Sequence, residues 1–185
     1  IGITVSGKNI FESNIQGLPT WYSLRINKDG YLARVEEDDI IVAMNPSTID
    51  REAELVVPGG VLLHPDDIPI KTLRDDIFVY PMPVKQIIKE TEVAPGLRDY
   101  VANMVYVGVL TYLLKIDLSI IEEALKFHFK EKQKPVQINM SVIRKAFDWA
   151  AENIEKVDPY RVEPMNKNIG WIMSDGNTAG ALGAL

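Results

Sequence analysis

The sequence has no cysteine and only two histidines, His64 and His128, among its 185 residues. Without thiolates there is no disulfide framework, no cysteine nucleophile and no thiolate cradle for zinc or an iron–sulfur cluster. Two histidines far apart in the chain also leave little for an imidazole-based metal site. Long hydrophobic runs are missing too. The longest, near Val101–Leu114, is interrupted by Asn103 and Thr111 and falls short of the ~18 residues that mark a membrane span. No secretory leader is visible, so the expected compartment is the cytoplasm and no membrane partner is expected. A basic excess is absent as well: 20 Lys and Arg stand against 26 Asp and Glu, a net charge of −6. That balance argues against a general nucleic-acid surface. What is present is 46% hydrophobic residues, which is ordinary for a globular protein and enough for one full core.

The chain is organised around Asp38–His64. Ile40-Ile41-Val42-Ala43-Met44 is apolar, rich in β-branched residues and too short for a helix, which predicts a strand buried on both faces of a parallel sheet. Asn45 offers a side-chain oxygen as a helix cap and Pro46 suits a first helical position, so a helix is predicted over Pro46–Glu54. Pro58-Gly59-Gly60 reads as a turn, and Val61-Leu62-Leu63 as a second buried strand. In open α/β sheets, ligands approach the carboxyl ends of the strands. Asn45 is therefore a crevice candidate as well as a cap.

Upstream, Ile1–Val5 is strand-like, and Gly7–Pro19 reads as a long ordered loop, either functional or packed on its own Ile10, Phe11 and Ile15. Thr20–Ile26 alternates as a strand does, Asn27–Gly30 is a turn, and Tyr31–Val35 is expected to pair back as a hairpin. Glu36-Glu37-Asp38-Asp39 suggests either a metal or acid/base cluster or a solvated start to the next strand. Downstream, Ile77–Tyr80 is a strand and Val84–Glu90 a short helix. Leu97–Lys115 is a helix apolar almost all round, hence buried. Its Asn103 is predicted to tie a neighbouring backbone segment or to face a pocket or subunit contact, and Gly108 to allow close backbone approach. Ser119 and Glu122 form a capping-box pattern opening a helix to about Phe129, and Asn139–Lys156 is the last long helix. From Val157 the period is lost through Trp171, as in a linker. Small residues at Gly176, Gly180 and Ala184 then begin another helix. The fold class is α/β, a mostly parallel open sheet flanked by helices, followed by a linker and the start of a second domain. Ile1 already lies in a strand-like run and Leu185 in the start of a helix, so the chain reads as a piece of a longer one.

Six segments come in an order that carries more than any one motif. They are Ser13–Tyr22, Val42–Thr48 (VAMNPST), Val56–Leu63 (VVPGGVLL), Asn103–Leu110, Val136–Ala150 and Gly176–Leu185. Together they resemble the 2-oxoacid:ferredoxin (acceptor) oxidoreductases, in the subunit where a γ domain is fused ahead of an α domain, and most of all the 2-oxoglutarate type. The resemblance implies a γ domain over residues 1–157, lacking its first strand and Gly-rich loop, a linker over 158–168, and the beginning of the thiamine-binding α domain over 169–185. It implies oxidative decarboxylation of a 2-oxo acid to the acyl-coenzyme A, with electrons passed to ferredoxin. Thiamine diphosphate, Mg2+ and an iron–sulfur cluster are implied for the complete enzyme, with none bound wholly by this segment. The implied partners are a β subunit of the same enzyme, ferredoxin, the 2-oxo acid and coenzyme A, in a homo- or hetero-oligomer. No catalytic residue and no metal ligand is assigned to this segment. The active-site-facing loop is expected to be Ser13, Asn14, Ile15, Gln16 and Gly17, with Gln16 standing where the family usually has an Arg. Asn45 and Asn103 are the crevice candidates. The rival readings are a nucleotide or coenzyme A binding module acting through the crevice at Asn45, and a structural assembly domain.

Overall fold

Val61, Leu62 and Leu63 are almost wholly buried, and they form the middle of a three-stranded parallel sheet. The computed structural model describes residues 1–11, 17–71 and 74–185. Strands β3 (Asp38–Val42), β4 (Val56–Pro65) and β5 (Phe78–Met82) lie in the order β3-β4-β5. Their register aligns Val42, Leu63 and Tyr80 in one row, and Ile41, Leu62 and Val79 in the next. Because side chains alternate with period 2, the two rows point to opposite faces. Val42, Leu63 and Tyr80 join one core, whereas Ile41, Leu62 and Val79 join another. The prediction of a sheet covered on both sides is thus met: the protein is α/β, with a parallel sheet flanked by helices.

The first face is covered by α2 (Val84–Lys89), α4 (Asn103–Leu113) and α6 (Gln133–Asn153), through Ile87, Val105, Val109, Val142 and Ala146. Each of the four Ile and Val side chains contributes roughly 1.5–3 kcal/mol of burial. A short 3₁₀ turn and α3 (Arg98–Val101) lead into α4, with helical backbone angles retained at Ala102. Gly108 is required where α4 meets α6. A Cβ there would stand 2.5 Å from the Ile143 carbonyl oxygen and 2.6 Å from the Ala146 Cβ. The opposite face is covered by α1 (Ile49–Glu54) through Ile49 and Ala53, together with Ile68. Helix α5 (Leu118–His128) packs on the amino-terminal half of α6 through Leu118, Ile121 and Leu125.

Residues 35–162 form one compact unit, and residues 1–34 with 163–185 form the other. The second unit contains an antiparallel ribbon, β1 (Thr4–Phe11) with β2 (Thr20–Asn27), and helix α7 (Gly176–Gly183). Backbone bonds from Met165 to Ile1 and from Lys167 to Gly2, both 2.9 Å, hold its two chain segments together.

Several local expectations are corrected. Strand β1 continues to Phe11 rather than ending at Val5, because pairing with β2 satisfies the backbone of Gly7-Lys8-Asn9 despite poor strand propensity. With β2 paired to β1, Tyr31–Val35 forms no strand; the Arg25 guanidinium instead donates to the Ala33 carbonyl at 2.7 Å. Pro58-Gly59-Gly60 lies inside β4 rather than before it, as a bulge between the pairs Asp38–Val56 and Ile40–Val61. Gly59 there takes φ +77°, a left-handed angle that favours glycine. Helix α5 is capped by Asp117, whose carboxylate accepts from the Ser119 N–H, so the capping box at Ser119 does not form. Helix α6 begins at Gln133 rather than Asn139, since Pro135 is tolerated in a first turn whose N–H groups have no helical partners.

Candidate functional site

At the carboxyl end of the sheet Asn45 follows β3, and Asp67 follows β4. After β3, Asn45 does not cap a helix. Its Oδ1 accepts from the Ser47 N–H at 2.9 Å and the Ser47 hydroxyl at 2.8 Å, closing an Asx turn ahead of α1. The helix starts only at Ile49, and Asn45 is left exposed. Both bonds use Oδ1 and neither uses the amide NH2, which sits at the edge where ligands approach α/β sheets.

Central strand β4 runs beyond β3 and ends level with β5, on His64 and Pro65, which pair with Pro81 and Met82 of β5. His64 is buried, and its Nδ1 lies 2.8 Å from the Pro65 carbonyl oxygen. A carbonyl only accepts, so Nδ1 carries a proton and donates. The turn after β4 presents Asp67, which pairs with Lys85 of α2 at 2.6 Å. This is a surface pair. The hydrogen bond from Lys85 holds the Asp67 carboxyl below its usual range, and Asp67 in turn raises Lys85. Tyr106 of α4 completes the group: burial, with the negative charge of Asp67 added, pushes its hydroxyl up to about 12. Asn103 lies one turn earlier on α4, and it is exposed rather than a buried tie. The buried polar residue of that helix is Thr111, whose hydroxyl donates to the Val107 carbonyl at 2.6 Å.

Chemically, this edge offers an amide, an imidazole, one cation and an exposed carboxylate. That set suits recognition by hydrogen bonding. It pairs no nucleophile with a base in the manner of a triad. Among the described residues no three His, Asp or Glu side chains gather closely enough to hold a metal ion. Of the expected loop, Ser13, Asn14, Ile15 and Gln16 lie outside the described residues; Gly17 is exposed, with φ +92°. The acidic cluster Glu36–Asp39 assembles no metal group. Asp38 opens β3, and Asp39 accepts from the Tyr160 hydroxyl at 3.3 Å.

A second, buried network is anchored on Tyr80 of β5, and few local signals announce it. Tyr80 donates to Asp158 Oδ2 at 2.9 Å, and Lys156 pairs with Asp158 Oδ1 at 2.5 Å. The Tyr160 N–H donates to the same oxygen at 3.0 Å, and the Val162 N–H reaches the Leu114 carbonyl at 2.9 Å. Burial, and then the Asp158 bond, raise the Tyr80 hydroxyl above its ordinary value. Residues 154–162 are thereby strapped across the end of α4. An open groove of about 880 Å3 runs beside the strap, lined by Tyr112, Lys115, Phe147 and Arg161 among others. It lies at the amino end of the sheet, near Asp39, so its size does not make it the better ligand site. The one sequence cue was a lone Asp in a proline-bearing stretch, which is ordinarily solvated.

The family model for pyruvate ferredoxin/flavodoxin oxidoreductase matches residues 1–149. Ketoisovalerate oxidoreductase subunit VorA of Methanothermobacter thermautotrophicus is 29% identical over 65% of this chain and 24% of its own length. Subunit alpha of 2-oxoacid:ferredoxin oxidoreductase 2 of Aeropyrum pernix is 20% identical, in an alignment covering 100% of this chain and 35% of that protein. Among solved structures, 2-oxoglutarate:ferredoxin oxidoreductase from Magnetococcus marinus, with 2-oxoglutarate, coenzyme A and succinyl-CoA bound, matches with a TM-score of 0.74. It is 24% identical, over 90% of this chain and 29% of that one. The keto/oxoacid ferredoxin oxidoreductase gamma subunit from Geobacter sulfurreducens matches with a TM-score of 0.63 and 18% identity, covering 82% of each chain. These two likenesses concern the fold. The chain spans about a quarter of the length of the VorA relatives. With the family match running from residue 1 to residue 149 of 185, the chain belongs to the pyruvate ferredoxin/flavodoxin oxidoreductase family, whose relatives here are enzyme subunits.

Proposed function

We propose that residues 1–157 are the γ domain of a thiamine-dependent 2-oxoacid oxidoreductase, that 158–168 link it onward, and that 169–185 begin the thiamine-binding α domain. The complete enzyme decarboxylates a 2-oxo acid oxidatively to its acyl-coenzyme A and passes the electrons to ferredoxin, working with a β subunit. The observation that carries this reading is the family match over residues 1–149, with the likeness to the separate gamma subunit as support. Enzymes of the family use thiamine diphosphate and iron–sulfur clusters. The residues in hand do not fit either group: clusters are held by cysteine thiolates, and this chain has none. Magnesium for the diphosphate needs convergent oxygen ligands, which the described carboxylates do not supply. No step is therefore assigned to these side chains. Their part is to shape and cover a site whose chemistry belongs to the other domains.

The favoured substrate is 2-oxoglutarate, on the likeness in fold to the Magnetococcus marinus enzyme. A branched 2-oxo acid is the second reading, favoured by the name of the VorA relatives. Within the segment 13–17, Asn14 and Gln16 carry amide side chains able to hydrogen-bond a substrate or coenzyme A. The experiment is a comparison of kcat/KM in the complete enzyme for 2-oxoglutarate and 3-methyl-2-oxobutanoate, each also measured with Asn14→Ala and Gln16→Ala. A preference for 2-oxoglutarate of tenfold or more, lowered about threefold to tenfold by either substitution, is expected for loss of one uncharged contact. The reverse preference selects the branched substrate. Unchanged kinetic constants in both variants, with a lowered melting temperature, remove the loop from the active site.

A further inference from the structure

The ribbon β1–β2 has two unlike faces. Register places Val5 opposite Ile26 and Phe11 opposite Thr20, and puts Tyr22 and Leu24 between them on the same face. All five apolar side chains are exposed, Phe11 at 67%, Tyr22 at 60% and Leu24 at 55%. The other three positions on that face are Gly7, Asn9 and Thr20, so no charge interrupts it, although 25% of the chain is charged. The reverse face carries Lys8, Arg25 and the half-buried Ile10 and Trp21. A ribbon pointing freely into water would have the opposite orientation, with its charges outward. Tyr22 leans over Gly7, where a Cβ would collide with its hydroxyl, so this surface is flat and closed rather than ragged.

We infer that this uncharged face docks on an apolar surface of the same polypeptide, in the remainder of the enzyme beyond these residues; the inference rests on the proposed multidomain function. Size decides among occupants. Eight residues per strand at about 3.4 Å, on a ribbon about 10 Å wide, present a face of roughly 270 Å². A stable contact between free partners buries about 800 Å² on each side, so a second copy of the chain would not be held here by this face alone. A tethered domain needs less, because the linker supplies an effective concentration in the millimolar range. The chain also spans only 24–25% of the VorA relatives, which leaves ample polypeptide to provide the surface. The partner surface is apolar and uncharged, since an unpaired charge set against Leu24 and Tyr22 would lose its water for nothing. Docking also explains how a two-stranded ribbon, marginal by itself, is kept folded.

Limited trypsin digestion of the complete polypeptide tests this, reading cleavage after Lys8, Arg25 and Lys28 by mass spectrometry. Leu24→Glu is expected to speed cleavage at these sites tenfold or more. Ser23→Glu, on the reverse face, is expected to leave it unchanged. Equal rates for wild type and Leu24→Glu would overturn the proposal, as would acceleration by both variants, which would mean that the ribbon simply unfolds. Wild-type protection should persist on dilution from 10 µM to 10 nM. Protection lost on dilution would assign the face to a separate molecule, a second copy or another subunit, and so overturn the tethered occupant. Oxidation of 2-oxo acids by the wild-type polypeptide assembled with its β subunit is measured in parallel. Its absence would sink the functional reading while leaving a protected, Leu24-dependent ribbon as support for docking.

Discussion

The two units of this chain bury their apolar residues to very different degrees. In residues 35–162, every apolar row of the sheet meets a helix or a returning loop, and Leu62, Leu63, Val105 and Val142 are fully enclosed. In residues 1–34 with 163–185, Phe11, Leu24, Trp171 and Ile172 stand mostly in solvent. Both units draw on the same residue types, so composition does not separate them. What separates them is the layer: a parallel sheet brings its own crossovers to cover it, whereas a two-stranded ribbon covers neither face. The first unit is a self-sufficient scaffold for the polar edge at Asn45 and Tyr106. The second is built to be completed by something else.

The largest expected effect comes from placing one charge in each unit. Val105→Asp puts an unpaired carboxylate into the enclosed helix layer, at a cost of several kcal/mol against a total stability of roughly 5–15 kcal/mol. Loss of the cooperative thermal transition is expected. Leu24→Asp, on the exposed ribbon, should stay within about 0.5 kcal/mol of wild type in this chain. Equal losses from both would erase the distinction between the units.

A smaller effect is expected at high pH. Burial holds the Tyr106 hydroxyl up at about 12, against an ordinary value of 10.0. Between those values the unfolded chain gives up this proton and the folded chain keeps it. Stability that is fully present below pH 10 should therefore fall as pH rises to 12, by about 2–3 kcal/mol. Denaturant midpoints at several pH values in Tyr106→Phe should lose this part of the slope and keep only that from Tyr80 and Tyr160, which burial also raises. An identical slope in the variant would mean that Tyr106 reaches water.

Smaller again is the strap at residues 154–162. Tyr80→Phe removes one donor from a carboxylate that keeps Lys156 and the Tyr160 N–H. A loss of about 1–2 kcal/mol is expected by urea titration. No loss would mean that water already serves Asp158.

The sheet unit was largely readable in the sequence because its signals are local: β-branched runs for β3 and β5, and an all-apolar period for α4. The ribbon was half readable. β2 alternates cleanly, but Gly7-Lys8-Asn9 in β1 carries no strand signal, and its pairing is settled by a partner more than ten residues away. Asn45 does follow strand β3, though its carboxamide serves a turn rather than a helix. Of the two readings of Asn103, the buried tie fails, because α4 begins at this residue and its end opens to solvent. The Tyr80–Asp158–Lys156 network joins residues 78 apart in sequence, and no spacing rule reaches that far.

Native-state hydrogen exchange on this chain tests the contrast most directly. Amides of Leu62, Leu63 and Val105 are expected to open only with global unfolding, at about 5–15 kcal/mol, and those of Gly7, Lys8 and Leu24 within about 1–2 kcal/mol of free exchange. Equal protection in the ribbon and the sheet would contradict the account, because it would show that the ribbon needs no cover.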